Sequence, residues 1–343
     1  MKALRYAKRL ISFDSTSHLS NRKISKYLEM KLIKHGFVVE RLEYLDRRGT
    51  RKVNLVAKKG RGEGGLAYFG HSDVVPAKNW FKSRFGPFEP AINNQRLYGR
   101  GACDMKGSVA CMLAASQLFT HDQLNQPLYF ICTADEEVGF HGAKNVVDES
   151  KFYREMVNHG TKGIIGEPTM LDVVYAHKGS LEIKAKSAGI AAHSSTNEGV
   201  NSTLAMIPFL AEAKKIHDEI ECQPNWRSDH FSPATAGWNI IVRDDSPAMN
   251  ITPAKTKCKI YARPLPNVDM QPLIDRLKTV ADANGIKLRV LRWCEPFECD
   301  PDSQFVQDTL KLVHRPKAKT VSFSTDGGLF SEIEEKIVFG PGS

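Results

Sequence analysis

The sequence lacks any apolar run that approaches the ~20 residues required by a membrane-spanning helix. Its N-terminal stretch, MKALRYAKRLISFDS, is interrupted at helical spacing by Lys2, Arg5, Lys8 and Arg9. That stretch also lacks the continuous apolar region and small-residue cleavage site of a signal peptide, so we interpret it as a first helix. We therefore predict no membrane partner.

The sequence also lacks paired cysteines. Its seven cysteines are odd in number, scattered, and free of any C-x-x-C pair. This pattern argues against a disulfide framework and against a structural zinc ribbon. We therefore expect reduced thiols and a cytoplasmic location.

No nucleic-acid motif accompanies the formal net charge of +9. The 48 Lys and Arg residues are mixed along the chain with 39 Asp and Glu residues, and the run RLEYLDRRGTRK is typical of a solvated turn. We therefore predict no nucleic-acid partner and attribute the charge mainly to solubility. No G-x-S-x-G motif occurs to support serine-hydrolase chemistry, and no P-loop occurs to support nucleotide chemistry.

The first half of the sequence alternates helix and strand signals. Helices are predicted at about residues 21–35 and at GSVACMLAASQLF. Four short, continuous apolar runs are typical of strands buried in a helix-covered sheet: VNLVA, GLAYFGH, LYFICTA and GIIGE. The alternation predicts an α/β core, and it resumes near the end with a helix at 302–314 and a strand KIVFG.

The pattern changes near Ala176. GSLEIKAKSAG alternates apolar and polar residues, and a long helix follows, in which Pro208 predicts a kink or a later start. The next segments indicate strand, strand, helix and strand, which completes a β-α-β-β-α-β order typical of a ferredoxin-like α+β domain. We therefore predict one domain from residues 1–176 and 292–343, with a second domain inserted at 177–291.

Acidic residues and one histidine end several segments of the first domain. They are His71 and Asp73 in GLAYFGHSD, Asp104 in LYGRGACDMKG, Glu136 and Glu137 in LYFICTADEE, and Glu167 in GIIGEPT. One acid at a strand end is usually a helix cap or a solvated turn, but four such clusters in one domain are hard to explain by capping alone. Ligands of open α/β sheets bind beyond the carboxyl ends of the strands, so we expect these side chains to converge there.

The residue types indicate a metal site. One imidazole nitrogen and several carboxylate oxygens, without a thiolate, suit catalytic Zn²⁺, Co²⁺ or Mn²⁺. A carboxylate can bridge two ions, and of two adjacent glutamates one can bind metal while the other takes a proton from water.

Five motifs together resemble one known family. GHSDVVP, LYGRGACDMKG, TADEEVG, GEPT and GIAAHSSTNEGVNS occur in the order and at about the spacing of the dinuclear zinc family of acetylornithine deacetylase, succinyl-diaminopimelate desuccinylase, aminoacylase and carboxypeptidase G. The resemblance spans nearly the whole chain. It implies a zinc-exopeptidase-like catalytic domain, with a mixed sheet covered by helices, and an inserted lid and dimerisation domain.

The resemblance also implies roles for the clustered residues. Two zinc ions are expected, with cobalt or manganese as substitutes: His71 and Glu167 would hold one, Asp104 would bridge, and Glu137 would hold the second. Glu136 would be the general base, and Asp73 would orient the His71 ring. The peptide bond Asp104–Met105 is expected to be cis.

Other residues resemble parts of the family's substrate site. His193 is similar to a lid histidine that stabilises the oxyanion and, in dimeric members, reaches the neighbouring subunit's site. Residues similar to those that bind the substrate carboxylate or the oxyanion are Asn239, Arg263, Thr325, Gly327 and Gly328. The alternative is that all of these are ordinary loop or surface residues. Tyr261 also replaces the family's usual acid two residues before Arg263.

The second metal site is expected to need a further ligand. Family members continue after GPGS with a segment that supplies a histidine, so we expect this ligand to follow Ser343. Without it, Asp104 and Glu137 alone would bind the second ion weakly.

The resemblance predicts hydrolysis of the amide bond of an N-acyl amino acid. STDGGLF and IVFGPGS are most similar to acetylornithine deacetylase, an enzyme of arginine biosynthesis. Succinyl-diaminopimelate desuccinylase and a zinc dipeptidase or carboxypeptidase are the enzymatic alternatives, and a metal-poor binding protein is the non-enzymatic one. We expect a small N-acyl amino acid or short peptide as substrate, and a homodimer formed through the inserted domain.

Overall fold

The chain forms two compact units in a computed structural model that describes residues 2–78, 80 and 85–342. The first unit comprises Met1–Ala176, Glu298–Lys319 and Thr325–Ser343, and the second comprises His177–Phe297 and Thr320–Ser324. Ser343, after which a metal ligand is expected, lies outside the described residues.

Most of the predicted helices and strands are present. The helices are α1 (Lys2–Ile11), α2 (Arg22–Lys34), α3 (Lys106–Ala115), α4 (His141–Glu149), α5 (Lys151–Asn158), α6 (Ser202–Cys222), α7 (Gln271–Ala283) and α8 (Gln304–Leu312). The strands are β1 (Val38–Leu45), β2 (Arg51–Lys59), β3 (Leu66–His71), β4 (Ala91–Asn93), β5 (Arg96–Tyr98), β6 (Leu128–Thr133), β7 (Lys162–Ile165), β8 (Val174–His177), β9 (Ser180–Ala188), β10 (Trp238–Asp244), β11 (Lys255–Ala262), β12 (Lys287–Cys294), β13 (Phe297–Glu298), β14 (Lys319–Val321) and β15 (Lys336–Val338).

The first unit contains a mixed sheet with the strand order β1-β2-β6-β3-β7-β15-β8-β13, in which β14 also pairs with β8. Strand β3 lies between β6 and β7 and is parallel to both, whereas β2 is antiparallel to its neighbours β1 and β6. Helices α1, α2 and α3 pack their apolar residues together with those of the sheet in one buried cluster. The predicted helix-covered mixed sheet is therefore confirmed.

The parallel strands bring their carboxyl ends to the same edge of the sheet. His71, the last residue of β3, pairs in register with Thr133, the last residue of β6. On the other side, Phe69 of β3 pairs with Ile165, which ends β7. The polar residues that follow β6 and β7 in the sequence therefore begin beside His71.

The second unit has ferredoxin-like topology. Its antiparallel sheet has the order β10-β11-β9-β12, and α6 and α7 pack on it around a separate apolar core. The predicted β-α-β-β-α-β order is confirmed. The later start suggested for the long helix is wrong, because Asn201 caps α6 by accepting hydrogen bonds from Thr203 N and Leu204 N, and the helix continues through Pro208.

The boundary at 291/292 falls inside β12 in the structure. This strand continues to Cys294, which pairs with Ser180 of β9, and therefore belongs to the sheet of the second unit. The short segment Thr320–Ser324 belongs to the second unit as well. Neither feature has a local sequence signal, because both depend on pairing with distant segments.

Among the described residues, no helix combines the length and apolar character that crossing a membrane demands. All seven cysteines are free thiols, four of them buried.

The core of the first unit makes a testable prediction about stability. Leu113 of α3 is fully buried, and Leu118, just after the helix, is 71% exposed. Leu113→Ala should lower the free energy of unfolding by about 2–5 kcal/mol, because it removes buried methyl groups and leaves a cavity. Leu118→Ala should change it by no more than about 0.5 kcal/mol. Urea unfolding followed by circular dichroism measures both, and equal losses would contradict this packing.

Candidate metal centre

The site is built around His71, whose side chain is buried at the end of β3. Its Nδ1 lies 3.0 Å from the carbonyl oxygen of Asp73 and 3.6 Å from Oδ1 of the same residue. Both oxygens accept hydrogen bonds, so Nδ1 carries a ring proton and Nε2 is the nitrogen that faces the acidic cluster. The sequence predicts that the Asp73 carboxylate orients the His71 ring. In the structure, the atom of Asp73 nearer to Nδ1 is the backbone carbonyl oxygen.

Two carboxylate oxygens face the other ring nitrogen. Nε2 of His71 lies 3.0 Å from Oδ1 of Asp104 and 3.4 Å from Oε1 of Glu167. With Nδ1 protonated, Nε2 can face two acceptors only if it gains a second proton or if a cation lies among the three atoms. Ligand atoms 2.0–2.1 Å from a tetrahedral ion are themselves about 3.3 Å apart. The observed spacing therefore fits a bound divalent metal.

Glu137 adds a further carboxylate to this group. His71, Asp104 and Glu137 each offer one ligand atom, and these atoms lie within 4.8 Å of one another. A nitrogen and several carboxylate oxygens, without a thiolate, form a donor set that zinc, cobalt and manganese accept. The residues present thus fit the metal that the sequence predicts.

The ionisation of these residues reflects their crowding. Burial works to lower the pKa of His71, but hydrogen bonds with Asp104 and Glu167 outweigh burial and hold that pKa well above its ordinary 6.5. Burial raises the pKa of Glu137 to about 7, against the opposing effect of His71 and with added repulsion from Asp104. Burial likewise raises the pKa of Glu136 well above 4.5. Concentrated negative charge of this kind is relieved by a cation.

Asp104 is placed by the segment between β5 and α3. The Asp104–Met105 peptide bond is cis, as predicted. The side chain of Met105 is fully buried, and its Sδ accepts a hydrogen bond from the backbone N of His71 at 3.2 Å. Met105 therefore connects the Asp104 segment directly to the end of β3.

Glu136 and Glu137 lie in a short 3₁₀ turn after β6, and Asp73 holds this turn. Its Oδ1 accepts from Glu136 N at 3.2 Å and its Oδ2 from Glu137 N at 3.4 Å. Ser17 Oγ also donates to Oδ2, at 2.8 Å. The carboxylate of Asp73 thus contacts the backbone of both glutamates, a role that the sequence does not indicate.

A buried ion pair supports the same turn from the other side. Asp135 has a left-handed backbone (φ 60°), and its Oδ1 lies 2.6 Å from Nζ of Lys52. Both side chains are almost fully buried. Lys52 also donates to two backbone carbonyls, those of Ser17 and Leu19, and Tyr44 OH donates to Oδ2 of Asp135 at 2.9 Å. Sequence reasoning missed Lys52, whose one signal is a lysine beside the apolar run of β2.

The predicted residues Thr325, Gly327 and Gly328 form a buried turn in the first unit. Thr325 Oγ1 accepts from Gly327 N at 3.0 Å. Between them, Asp326 accepts from Thr133 Oγ1 at 2.5 Å, while its Oδ1 is buried without a hydrogen-bond partner among the described residues. Burial raises the pKa of Asp326 to about 7, and repulsion from Glu167 adds to this. Asp326 is therefore a further acid near the site.

The other three predicted residues belong to the second unit. His193 is exposed, with Nδ1 2.7 Å from Ser195 Oγ and Nε2 3.3 Å from Asn250 Nδ2. Asn239 is exposed on β10. The Arg263 guanidinium donates to Ser324 Oγ at 2.6 Å and lies 5.0 Å from the ring centroid of Tyr261. All three therefore belong to a different unit from the residues around His71.

Comparisons with known proteins identify the family and the fold. The family model described as Peptidase family M20/M25/M40 matches residues 67–343. An acetylornithine deacetylase of Myxococcus xanthus is 32% identical over 345 aligned positions, which cover 97% of this chain and 87% of the relative. An M20 family metallo-carboxypeptidase from Sulfolobus solfataricus has a similar fold, with a TM-score of 0.76 at 17% identity, covering 99% of this chain and 91% of that one. A dinuclear metal-binding M20 peptidase from Bacillus subtilis aligns with a TM-score of 0.64 at 14% identity, covering 98% and 86%.

The buried ion pair can be tested by removing its cation. Lys52→Met should lower the free energy of unfolding by about 3–5 kcal/mol, because it leaves the buried Asp135 carboxylate without its charged partner. Lys58→Met is the matched control on the same strand: Lys58 pairs with the partly exposed Glu155, and its loss should cost at most about 1 kcal/mol. Urea unfolding compares the two variants, and an equal cost would contradict the special role of Lys52.

Proposed function

Because this chain belongs to peptidase family M20/M25/M40, we propose that it is a zinc-dependent amidohydrolase that removes the acyl group of an N-acyl amino acid. The observation that carries the proposal is the imidazole of His71 facing the carboxylates of Asp104 and Glu167, beside the turn with Glu136 and Glu137. The name of the Myxococcus xanthus relative supports acetylornithine, or a similar acylated amino acid, as the substrate.

We assign the metal ligands from the same arrangement. His71 and Glu167 would hold one zinc, Asp104 would bridge, and Glu137 would hold the second, with cobalt or manganese as substitutes. When bound, these ions would act as Lewis acids: they would polarise the amide carbonyl and lower the pKa of water. The two-metal assignment has support from the dinuclear peptidase with a similar fold.

Glu136 is the proposed general base. It accepts a proton from the water that attacks the carbonyl carbon and then passes a proton to the leaving amine nitrogen. Burial raises its pKa, and a carboxyl with a raised pKa is suited to hold a proton between these two steps. The hydrogen bonds from Glu136 N and Glu137 N to Asp73 keep the turn in one conformation while the side chain exchanges its proton.

The remaining predicted residues receive substrate-binding roles in this proposal. His193 would stabilise the oxyanion of a neighbouring subunit's substrate in a homodimer formed through the second unit. Arg263 would bind the substrate carboxylate through its planar two-pronged donor group, which suits a carboxylate better than a lysine does. Four further residues would contact the substrate or its oxyanion: Asn239, Thr325, Gly327 and Gly328. We also propose a cytoplasmic location.

Cleavage of a short peptide is the second candidate. Solved structures with similar folds include a metallo-carboxypeptidase and human carnosine dipeptidase 1, the latter with a TM-score of 0.71 at 16% identity over 98% of this chain and 88% of that one. A dipeptide and an N-acyl amino acid present the same kind of amide bond to the same groups. Relative rates on acetylornithine, succinyl-diaminopimelate and a dipeptide panel would separate the two.

The role of Glu136 makes the first functional prediction. Glu136→Gln should lower kcat by about 10²–10⁴-fold, because the amide cannot accept a proton, and it should leave the metal content unchanged. Steady-state kinetics on the best substrate and metal analysis of the same sample provide the two measurements. Glu63→Gln, at a side chain that is 77% exposed, is the matched control and should keep full activity.

Two outcomes would contradict the proposal in different ways. A Glu136→Gln variant that keeps both metal and wild-type activity would remove Glu136 as the base but leave the metal centre in place. A wild-type protein that holds no metal and cleaves none of these substrates would overturn the enzyme proposal and favour a binding role.

Metal dependence makes a separate prediction through His71. His71→Ala should lower the affinity for zinc strongly, because it removes the nitrogen ligand from the group. His18→Ala replaces a histidine with no proposed metal-binding role and is the control for adventitious binding. Titration of metal-stripped protein with zinc, in competition with a coloured chelator, measures the change. Equal zinc affinity in the two variants would contradict the assignment of His71.

A further inference from the structure

One cleft in the first unit is strongly basic. It is formed by α1, α2 and the segment after α3, and it has a volume of about 520 Å³. Lys2 and Arg5 of α1 and Lys31 and Lys34 of α2 line it, so each helix contributes two cations spaced three residues apart. We call this feature the basic cleft.

Among the described residues, no carboxylate pairs with the four helix cations of the basic cleft; the nearest ion-pair contact of its lining is His121 Nδ1 with Asp122 Oδ1, at 3.4 Å. Its lining contains no Asp or Glu. Within residues 2–78, 80 and 85–342, no ion pair or side-chain hydrogen bond to another residue involves Lys2, Arg5, Lys31 or Lys34. By contrast, Arg41 nearby in the sequence pairs with Glu29 at 3.0 Å. Lys31 Nζ lies 5.2 Å from the ring centroid of Tyr27, a contact that leaves its charge unneutralised. The four cations around one concavity therefore repel each other, and a bound anion would relieve that repulsion.

The floor of the basic cleft is a connected polar network. Tyr6 OH lies 3.2 Å from His35 Nε2 and accepts a hydrogen bond from Gln117 Nε2 at 2.8 Å. The other nitrogen of His35 lies 3.2 Å from Ser116 Oγ. Lys59, whose side chain is buried, donates to the carbonyl oxygens of Ser116 and Phe119. These contacts fix the floor in one arrangement, as expected of a preformed ligand site.

The electrostatic potential at the floor of the basic cleft is positive. Burial, and then the charges of Lys59, Lys31, Lys2 and Lys34, lower the pKa of His35 to about 4. At neutral pH, His35 is therefore uncharged and serves as a hydrogen-bonding group between Tyr6 and Ser116. The cations that line the cleft thus all contribute to the positive potential at His35.

We propose that the basic cleft binds a small organic ligand that carries two or more phosphate groups. Its volume lies within the range of about 300–1,000 Å³ that is usual for small-molecule sites. Four cations suit a ligand with several negative charges, and Arg5 can contact phosphate oxygens through a two-pronged donor group. The aromatic side chains of Tyr6, Phe119 and His121 offer ring surface for an organic moiety.

ADP is a suitable probe, with AMP and adenosine as its shorter analogues. Titration calorimetry of the metal-loaded full chain should show ADP binding, weaker AMP binding and no adenosine binding, with an affinity for ADP that falls as NaCl is added. The double variant Lys31→Gln/Lys34→Gln should bind ADP at least about tenfold more weakly, because two charge-assisted contacts are lost.

A matched control lies on the same helix. Lys23→Gln/Lys26→Gln makes the same change of charge at exposed positions of α2 that do not line the basic cleft. It should bind ADP within about twofold of wild type. Hydrolytic activity of both double variants should match wild type, since neither pair belongs to the proposed catalytic machinery.

Several results would overturn the inference. One is the absence of ADP binding to wild type. Another is equal loss of ADP affinity in the two double variants, which would indicate a general charge effect. If Lys31→Gln/Lys34→Gln binds ADP as tightly as wild type, the ADP site lies elsewhere, for example at the metal centre. Tighter binding of a single-stranded oligonucleotide than of ADP would identify a nucleic-acid surface instead.

Discussion

The parallel register of β3 with β6 is the constraint on which the metal centre depends. Because His71 pairs with Thr133, the turn that carries Glu136 and Glu137 begins beside the imidazole. Strand β7, parallel to β3 on its other side, brings Glu167 to the same edge of the sheet. A slip of one residue would turn the side chain of His71 to the opposite face. Ordinary strand pairing therefore sets the distances among the candidate ligands.

Around this edge, buried polar contacts fix the conformation that strand pairing leaves open. Asp73 contacts the His71 ring through its carbonyl and the glutamate turn through its carboxylate, so one residue links both parts of the site. The Lys52–Asp135 pair anchors the residue just before that turn. Buried charges contribute little net stability, and their value here lies in selecting one arrangement of the surrounding backbone. We therefore infer that these buried contacts hold the acidic ligands close together despite their mutual repulsion.

Much of the fold and the central cluster could be predicted from the sequence, because their signals are local. Continuous apolar runs mark β3, β6 and β7, and the polar residues that end them stand next to those runs. The ferredoxin-like unit could be predicted from its order of alternating strands and amphipathic helices. The pair Lys52–Asp135 could not, since it joins residues 83 positions apart, and the Thr133–Asp326 contact spans 193 positions. Long-range pairing also explains the boundary inside β12, where the strand continues for three residues past the predicted domain end.

The central claim is that a metal ion lies among His71, Asp104 and Glu167. Anomalous diffraction at the zinc absorption edge, from crystals of the zinc-loaded full chain, tests it most directly. The account predicts a peak about 2.0–2.1 Å from Nε2 of His71, with carboxylate oxygens of Asp104 and Glu167 at about 2.0–2.2 Å. Zinc-loaded crystals with no peak at this position, and with the imidazole still hydrogen-bonded to Asp104, would contradict it.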